Sequence, residues 1–188
     1  MHAHNAFAYL IGREPDPTQP RIVIEDKTVS RTHGSWLFLG AILTTADLEP
    51  DAPEADHCGS CTRCLDACPT DAFVEARVLD ATRCISYLTI EHKHAIPDTL
   101  APKLAGWAFG CDVCNEVCPW NERFATPSVI EAFRPRGALE DAGPDHFDAM
   151  DEATFTTQFG DTPLARPGLA RMRRNWRAAL ASLGWREE

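Results

Sequence analysis

The stretch Cys58-Gly-Ser-Cys61-Thr-Arg-Cys64-Leu-Asp-Ala-Cys68-Pro69 decides the fold, because its four thiols are too closely spaced for an ordinary core. Thiolates separated by two residues can bind three corners of one iron–sulfur cube. A fourth thiolate, which follows after three intervening residues and precedes a proline, points away toward a second cube. The stretch therefore predicts two 4Fe–4S clusters, with one ligand of the first still to be found.

A second run, Cys111-Asp-Val-Cys114-Asn-Glu-Val-Cys118-Pro119, supplies that ligand. By the same geometry Cys111 and Cys114 bind the second cube, and Cys118 returns to the first, as in bacterial two-cluster ferredoxins. Cys84 then completes the second cube, so all eight cysteines of the chain are used. The predicted ligands are Cys58, Cys61, Cys64 and Cys118 for cluster one, and Cys68, Cys84, Cys111 and Cys114 for cluster two.

Two structural zinc sites of four thiolates each would also use eight cysteines. Zinc ribbons, however, require neither the tight three-cysteine run nor the paired Cys-Pro steps, so the spacing favours the clusters. Two such clusters predict one-electron transfer in two steps. The spacing does not encode the direction of transfer.

The composition agrees with a soluble protein of one domain plus appendages: 188 residues, 44% hydrophobic and 24% charged, with a net charge of -10. No apolar run is long enough to span a bilayer, and the N-terminus lacks the features of a secretory signal. We therefore expect a cytoplasmic protein without a membrane segment. The acidic balance argues against a general nucleic-acid coat, although the arginines between 166 and 177 form a local basic strip that could contact RNA phosphates or simply end a helix.

The chain divides into three parts in an α+β arrangement. Residues 1–33 read as a short extended segment, 34–126 as a two-cluster ferredoxin-like domain, and 127–188 as a helical C-terminal extension. Helix-like apolar spacing occurs over 81–93 and 99–108, and an amphipathic helix over 169–183 ends at Gly184. The two Cys-Pro steps are expected to interrupt regular structure.

The sequence stretches around the cysteines resemble those of one family, the epoxyqueuosine reductases. The resemblance covers about 34–188 and rests on these stretches: Gly34-Ser-Trp-Leu-Phe-Leu-Gly40, Asp56-His-Cys-Gly-Ser-Cys-Thr-Arg-Cys64, Arg83-Cys-Ile-Ser-Tyr-Leu-Thr-Ile-Glu91, Phe109-Gly-Cys-Asp-Val-Cys114, Cys118-Pro-Trp-Asn121, Phe159-Gly-Asp-Thr-Pro-Leu-Ala-Arg166 and Arg173-Arg-Asn175.

This resemblance implies a cytoplasmic, cobalamin-dependent enzyme with two 4Fe–4S clusters, which reduces epoxyqueuosine to queuosine in transfer RNA. It implies that electrons pass from a donor, such as a flavodoxin or ferredoxin reductase system, through both clusters to cobalamin. Ser86, Asp112 and Val113 would then face the corrin, and residues 91–93 the transfer RNA. A monomer is expected.

The family's N-terminal half, which builds most of the cobalamin pocket and carries the acidic proton donor, has no counterpart before Gly34. We therefore nominate no catalytic residue and expect the chain alone to be inactive, whether it is a fragment, a misplaced gene start or a genuinely short protein. A stand-alone two-cluster electron carrier is the alternative. A reductive dehalogenase uses the same cofactors, but the residues around Cys84 resemble those of the transfer-RNA enzyme more than those of a dehalogenase.

A strip within 10–33 resembles the phosphothreonine-reading core of forkhead-associated domains. It consists of Leu10-Ile-Gly-Arg13, Ile22-Val-Ile-Glu-Asp26 and Val29-Ser-Arg-Thr-His33. The resemblance implies that an arginine and a serine would bind a phosphate. A complete domain of that kind needs more strands than this segment offers, so the strip is interpreted as a chance match or a scrambled gene start.

Overall fold

A computed structural model of the protein describes residues 33–37, 58–134 and 137–185. Within these ranges the chain forms short helices around one small antiparallel hairpin, which confirms the α+β prediction. The hairpin pairs β1 (Phe73–Glu75) with β2 (Val78–Leu79). The helices are α1 (Arg63–Asp66), α2 (Ile85–Ile90), α3 (Val113–Glu116), α4 (Pro119–Phe124), α5 (Glu152–Phe159) and α6 (Gly168–Ser182).

The cysteine-bearing helices are short because the sequence interrupts them. Cys118 has an extended backbone with ψ of 120°, as expected for a residue before proline. Pro119 then opens α4 at the first helical position, where its missing N–H costs nothing. The predicted break is confirmed, and a new helix begins directly after it.

One apolar core lies under the cluster region, beneath α2. It contains the buried side chains of Ile85, Leu88, Ile96 and Leu104, with Trp107 packed at its edge. The helix predicted from the apolar spacing over 99–108 is wrong, since only Ala101–Lys103 forms a 3-10 turn there. Pro102 and the left-handed backbone of Gly106 (φ 84°) account for this difference.

The helix expected over 81–93 is also shorter than its pattern. A 3-10 turn spans Ala81–Arg83, the backbone becomes extended at Cys84, and α2 begins only after it. The interruption places Cys84 at the N-cap of α2. A cysteine side chain at a helix N-cap points out of the helix. Cys84 can therefore face a neighbouring element of the fold.

The second core belongs to the C-terminal extension. Phe147, Met150, Phe155, Phe159, Leu169 and Met172 are buried there between α5 and α6. The final helix is confirmed, with Gly184 in a left-handed conformation (φ 84°) just beyond its end. Between 128 and 150 the chain is less helical than expected: its described residues form only the 3-10 turns Glu131–Phe133 and Gly137–Leu139.

No helix among the described residues is both long enough and apolar enough to cross a membrane. The forkhead-like strip lies outside the described residues apart from His33, and so does most of the apolar block that follows Gly34.

Candidate double-cluster site

All eight cysteines lie in the described part of the chain, on or beside α1 to α4. Cys64 is in α1, Cys114 is in α3, and Cys84 and Cys118 cap α2 and α4. Cys61 is exposed and Cys118 is buried at 5% exposure, and the other six are intermediate. The exposure of the thiols therefore decreases from Cys61 at the protein surface to the buried Cys118.

The electrostatic neighbours of Cys111 connect the two motifs. Burial raises the pKa of the Cys111 thiol to about 12, and Cys114 and Cys68 lie close enough to raise it further. The backbone N–H of Val113 partly opposes this rise. Cys68 comes from the first motif and Cys111 and Cys114 from the second, so the fold groups three of the four thiols predicted for cluster two.

Arg63 lies near cysteines of both motifs. Its pKa is raised, first by a hydrogen bond to Glu122 and also by the nearby Cys61 and Cys118. Cys61 belongs to the first motif and Cys118 to the second, yet both lie beside the same guanidinium. The crossing predicted for cluster one needs these two cysteines on the same side of the fold, and their common neighbour agrees with that prediction.

Packing between helices stabilises this crossing. Helix α1 packs against α3. The Arg63 Nη2 atom lies 2.7 Å from Oε1 of Glu122 in α4. Both side chains are about half exposed, so the pair contributes little free energy by itself. Its position nevertheless joins the helix that carries Cys64 to the helix capped by Cys118.

Cys68 has the best-defined sulfur environment. The backbone N–H of Ala72 donates to its Sγ atom at 3.3 Å, and the hydroxyl of Thr70 lies 3.7 Å from the same sulfur. Hydrogen bonds to ligand sulfurs are one of the means by which a protein sets a cluster potential. Neither contact was predicted from the sequence, because the spacing motif ends at Pro69.

Helix α2 is fixed against the segment that enters Cys111. The Oγ1 atom of Thr89 donates to the carbonyl of Ile85 at 2.7 Å and accepts from the N–H of Gly110 at 3.0 Å. Asn175 of α6, which is fully buried, donates to the carbonyl of Thr89 at 2.6 Å. The C-terminal helix thereby contacts the elements that present Cys84 and Cys111.

A polar network surrounds the second Cys-Pro step. Asn121 accepts a hydrogen bond from the Ser35 backbone at 2.6 Å and donates to the Ser35 hydroxyl at 2.8 Å. The Ser35 hydroxyl in turn donates to the Asn115 side chain at 3.0 Å. Gly34 has φ of 71°, and a Cβ atom there would lie 2.2 Å from Oδ1 of Asn121. These residues fix the chain beside Cys118.

The arginine strip has a structural role that the sequence did not reveal. Arg166 forms a bidentate ion pair with Glu91 at 2.6 and 2.9 Å, and Arg177 pairs with Asp148. Three others donate to main-chain carbonyls: Arg171 to Ile90, Arg173 to Phe147, and Arg174 to Leu88, His92 and His94. These guanidiniums bind the protein itself, so the strip acts as an internal scaffold.

The residues expected to face a corrin differ in exposure. Ser86 in α2 and Val113 in α3 are both half-buried. Asp112 is only 1% exposed, and its backbone carbonyl accepts from Asn115 and Glu116 at 2.8 Å. A ligand outside this chain would therefore meet Ser86 and Val113 before the Asp112 carboxylate.

The donor chemistry suits iron–sulfur clusters. Soft thiolates are the usual ligands of 4Fe–4S clusters. Among the described residues, no three His, Cys, Asp or Glu side chains gather around a single metal-ion position.

Comparison with known proteins agrees with this site. Residues 57–121 match the model of the 4Fe-4S double cluster binding domain. Residues 57–121 are thus a double-cluster iron–sulfur domain, and the prediction of two 4Fe–4S clusters is confirmed.

Its relatives are epoxyqueuosine reductases. The chain is 46% identical over 153 residues to the one from Synechocystis, covering 81% of this chain and 53% of the relative. It is 44% identical over 155 residues to the one from Pseudomonas aeruginosa, covering 82% and 43%. Over most of its length the chain is a homologue of these enzymes, and it spans about half the length of the curated relatives it matches.

The fold is similar to solved structures of the same family. The epoxyqueuosine reductase from Bacillus subtilis superposes with a TM-score of 0.77 at 34% identity, over 85% of this chain and 42% of that one. A crystal structure of an epoxyqueuosine reductase with an epoxyqueuosine-modified tRNA stem loop gives the same values. The enzyme from Streptococcus thermophilus gives 0.69 at 30% identity, with the same coverage.

Proposed function

We propose that this chain is the electron-transfer part of an epoxyqueuosine reductase. The observation that supports the proposal is that the two cysteine motifs lie near each other, with Cys68 near Cys111 and Cys114, and with Cys61 and Cys118 both near Arg63. The proposed ligands of cluster one are Cys58, Cys61, Cys64 and Cys118, and those of cluster two are Cys68, Cys84, Cys111 and Cys114.

We propose that electrons enter at cluster one. Its ligand Cys61 is exposed, whereas cluster two is bounded by the buried Thr70 and Asp112. A donor protein of the flavodoxin or ferredoxin reductase type can approach an exposed cluster closely. Cluster two then lies on the side of Ser86 and Val113, where the corrin is proposed to bind.

When bound, cobalamin would supply a reducible cobalt for opening the epoxide of epoxyqueuosine. In this chain the half-buried side chains of Ser86 and Val113 would contact one face of the corrin, and Asp112 would shape the turn between the cluster-two ligands. A concave site that buries most of a ligand needs walls on several sides. We propose that the remaining length of the relatives supplies those walls and the proton donor.

Contact with transfer RNA is proposed at the loop that follows α2. The ion pair between Glu91 and Arg166 fixes the start of this loop, and the carbonyls of His92 and His94 bind Arg174 from behind. These contacts hold the loop in one conformation. RNA bound there would dissociate as salt rises, since phosphate contacts release counterions.

A chimaeric enzyme tests the proposal. The N-terminal part of the Synechocystis relative would be joined to this chain and supplied with reductant, cobalamin and epoxyqueuosine-containing transfer RNA. Mass spectrometry of the nucleosides should show queuosine formed over multiple turnovers. The same chimaera with Cys84→Ala and the 188-residue chain alone should show none. A chimaera that binds both clusters and cobalamin but forms no queuosine would contradict the proposal.

A further inference from the structure

The turn after the first Cys-Pro step buries a hydroxyl against a ligand sulfur. Thr70 is 0% exposed, and its Oγ1 atom lies 3.7 Å from Sγ of Cys68. Among the described residues this sulfur is the one hydrogen-bond partner of that hydroxyl. Buried hydroxyls are normally satisfied, so the Thr70 hydroxyl depends on Cys68.

The geometry of the turn holds Thr70 in place. The N–H of Asp71 donates to the carbonyl of Cys68 at 3.1 Å, and Asp71 has a left-handed backbone with φ of 51°. The Asp71 carboxylate lies 3.1 Å from Nζ of Lys103, in the neighbouring 3-10 turn. The N–H of Ala72 returns to the same sulfur at 3.3 Å. Cys68 therefore faces two donors in a closed turn.

We propose that Thr70 is a positioning residue that raises the reduction potential of cluster two. This inference rests on the proposed ligation of that cluster by Cys68. A thiolate bound to iron carries no proton, so the hydroxyl must be the donor. Reduction adds one electron, whose charge spreads partly onto the sulfurs. A hydrogen bond to sulfur therefore favours the reduced cluster.

Burial makes this effect specific to Thr70. Water cannot replace the hydroxyl at a site with no exposure, and in a medium of low polarity a hydrogen bond to a charged group is strengthened. Valine has nearly the shape of threonine but lacks the hydroxyl. Thr70→Val should therefore remove the hydrogen bond with little change in packing.

The test is a redox titration of the anaerobically reconstituted chain, followed by electron paramagnetic resonance. Thr70→Val should shift the midpoint potential of cluster two to a more negative value and leave that of cluster one unchanged. Thr70→Ser, which keeps a hydroxyl, should restore the wild-type value. Thr157→Val on α5 is the control, because its hydroxyl bonds the Ala153 carbonyl instead of a sulfur. Cys84→Ala identifies which signal belongs to cluster two.

Iron content separates the two proposals. A wild-type chain that does not assemble two clusters would refute the proposed ligation. If both clusters assemble and Thr70→Val leaves both potentials unchanged, the role of Thr70 is refuted alone. If the Thr70→Val variant does not bind cluster two, the titration is repeated with the Thr70→Ala variant. Failure of both variants, with assembly in Thr70→Ser, would show that the hydroxyl is required for binding and overturn the tuning role.

Discussion

The Oγ1 atom of Thr89 accepts a hydrogen bond from the backbone N–H of Gly110 at 3.0 Å, although the two residues are 21 positions apart in the chain. Thr89 is in the helix that Cys84 caps, and Gly110 immediately precedes Cys111. One buried hydroxyl thus sets the spacing of two proposed cluster-two ligands.

Thr89→Val should leave the N–H of Gly110 buried without its acceptor. Such a loss costs about 1–3 kcal/mol. Urea denaturation of the anaerobic protein should show this decrease in the free energy of unfolding. Thr157→Val removes an exposed hydroxyl with the same i to i−4 bond and should change it by less than about 0.5 kcal/mol. Equal effects would mean that the contact with Gly110 contributes nothing.

Cys84→Ala should abolish cluster two and preserve cluster one, because its proposed partners Cys68, Cys111 and Cys114 serve only cluster two. Electron paramagnetic resonance of the reduced protein measures the two signals separately. Circular dichroism must first show that the variant is folded. Equal loss of both signals from a folded variant would contradict the crossed pairing.

Gly34→Ala tests the network beside Cys118. The new Cβ would approach Asn121 Oδ1 at 2.2 Å and the backbone carbonyl of Trp120 at 3.1 Å. Gly168→Ala is the matched control, since φ there is 72° and the space is open. Both variants suffer the left-handed strain of about 1–2 kcal/mol. Gly34→Ala should lower the thermal midpoint further, and equal midpoints would show that the contact is relieved without cost.

Arg174→Met tests the scaffold role of the arginine strip. Burial lowers the pKa of Arg174, and its guanidinium binds the carbonyls of Leu88 and His92 at 2.8 Å. Loss of these bonds should cost about 2 kcal/mol or more. Arg177→Met, which removes a pair in which the arginine is 60% exposed, should cost about 0–1 kcal/mol. Equal small losses of unfolding free energy would refute the scaffold role.

The cysteine spacing predicted the chemistry of this protein well, whereas the sequence patterns predicted its secondary structure less well. Spacing encodes the order in which thiols reach two cubes, and it predicts a shared cluster for Cys68 and Cys111, which lie near each other in the fold. The length of the helices could not be predicted in this way. Around Leu104 the apolar residues repeat as in a helix, but Pro102 and Gly106 prevent a long helix there. The partners of Arg171 and Arg174 are main-chain carbonyls, which leave no signal in a sequence. Thr70 and Thr89 were missed because their contacts with the Cys68 sulfur and the Gly110 N–H belong to no spacing motif.

Metal analysis of the anaerobically reconstituted chain tests the central claim most directly. Two cubes bound by eight thiolates predict about eight iron and eight sulfide ions per chain, with the broad visible absorption of 4Fe–4S clusters. A chain that saturates at about two zinc ions and shows no visible absorption would contradict the account.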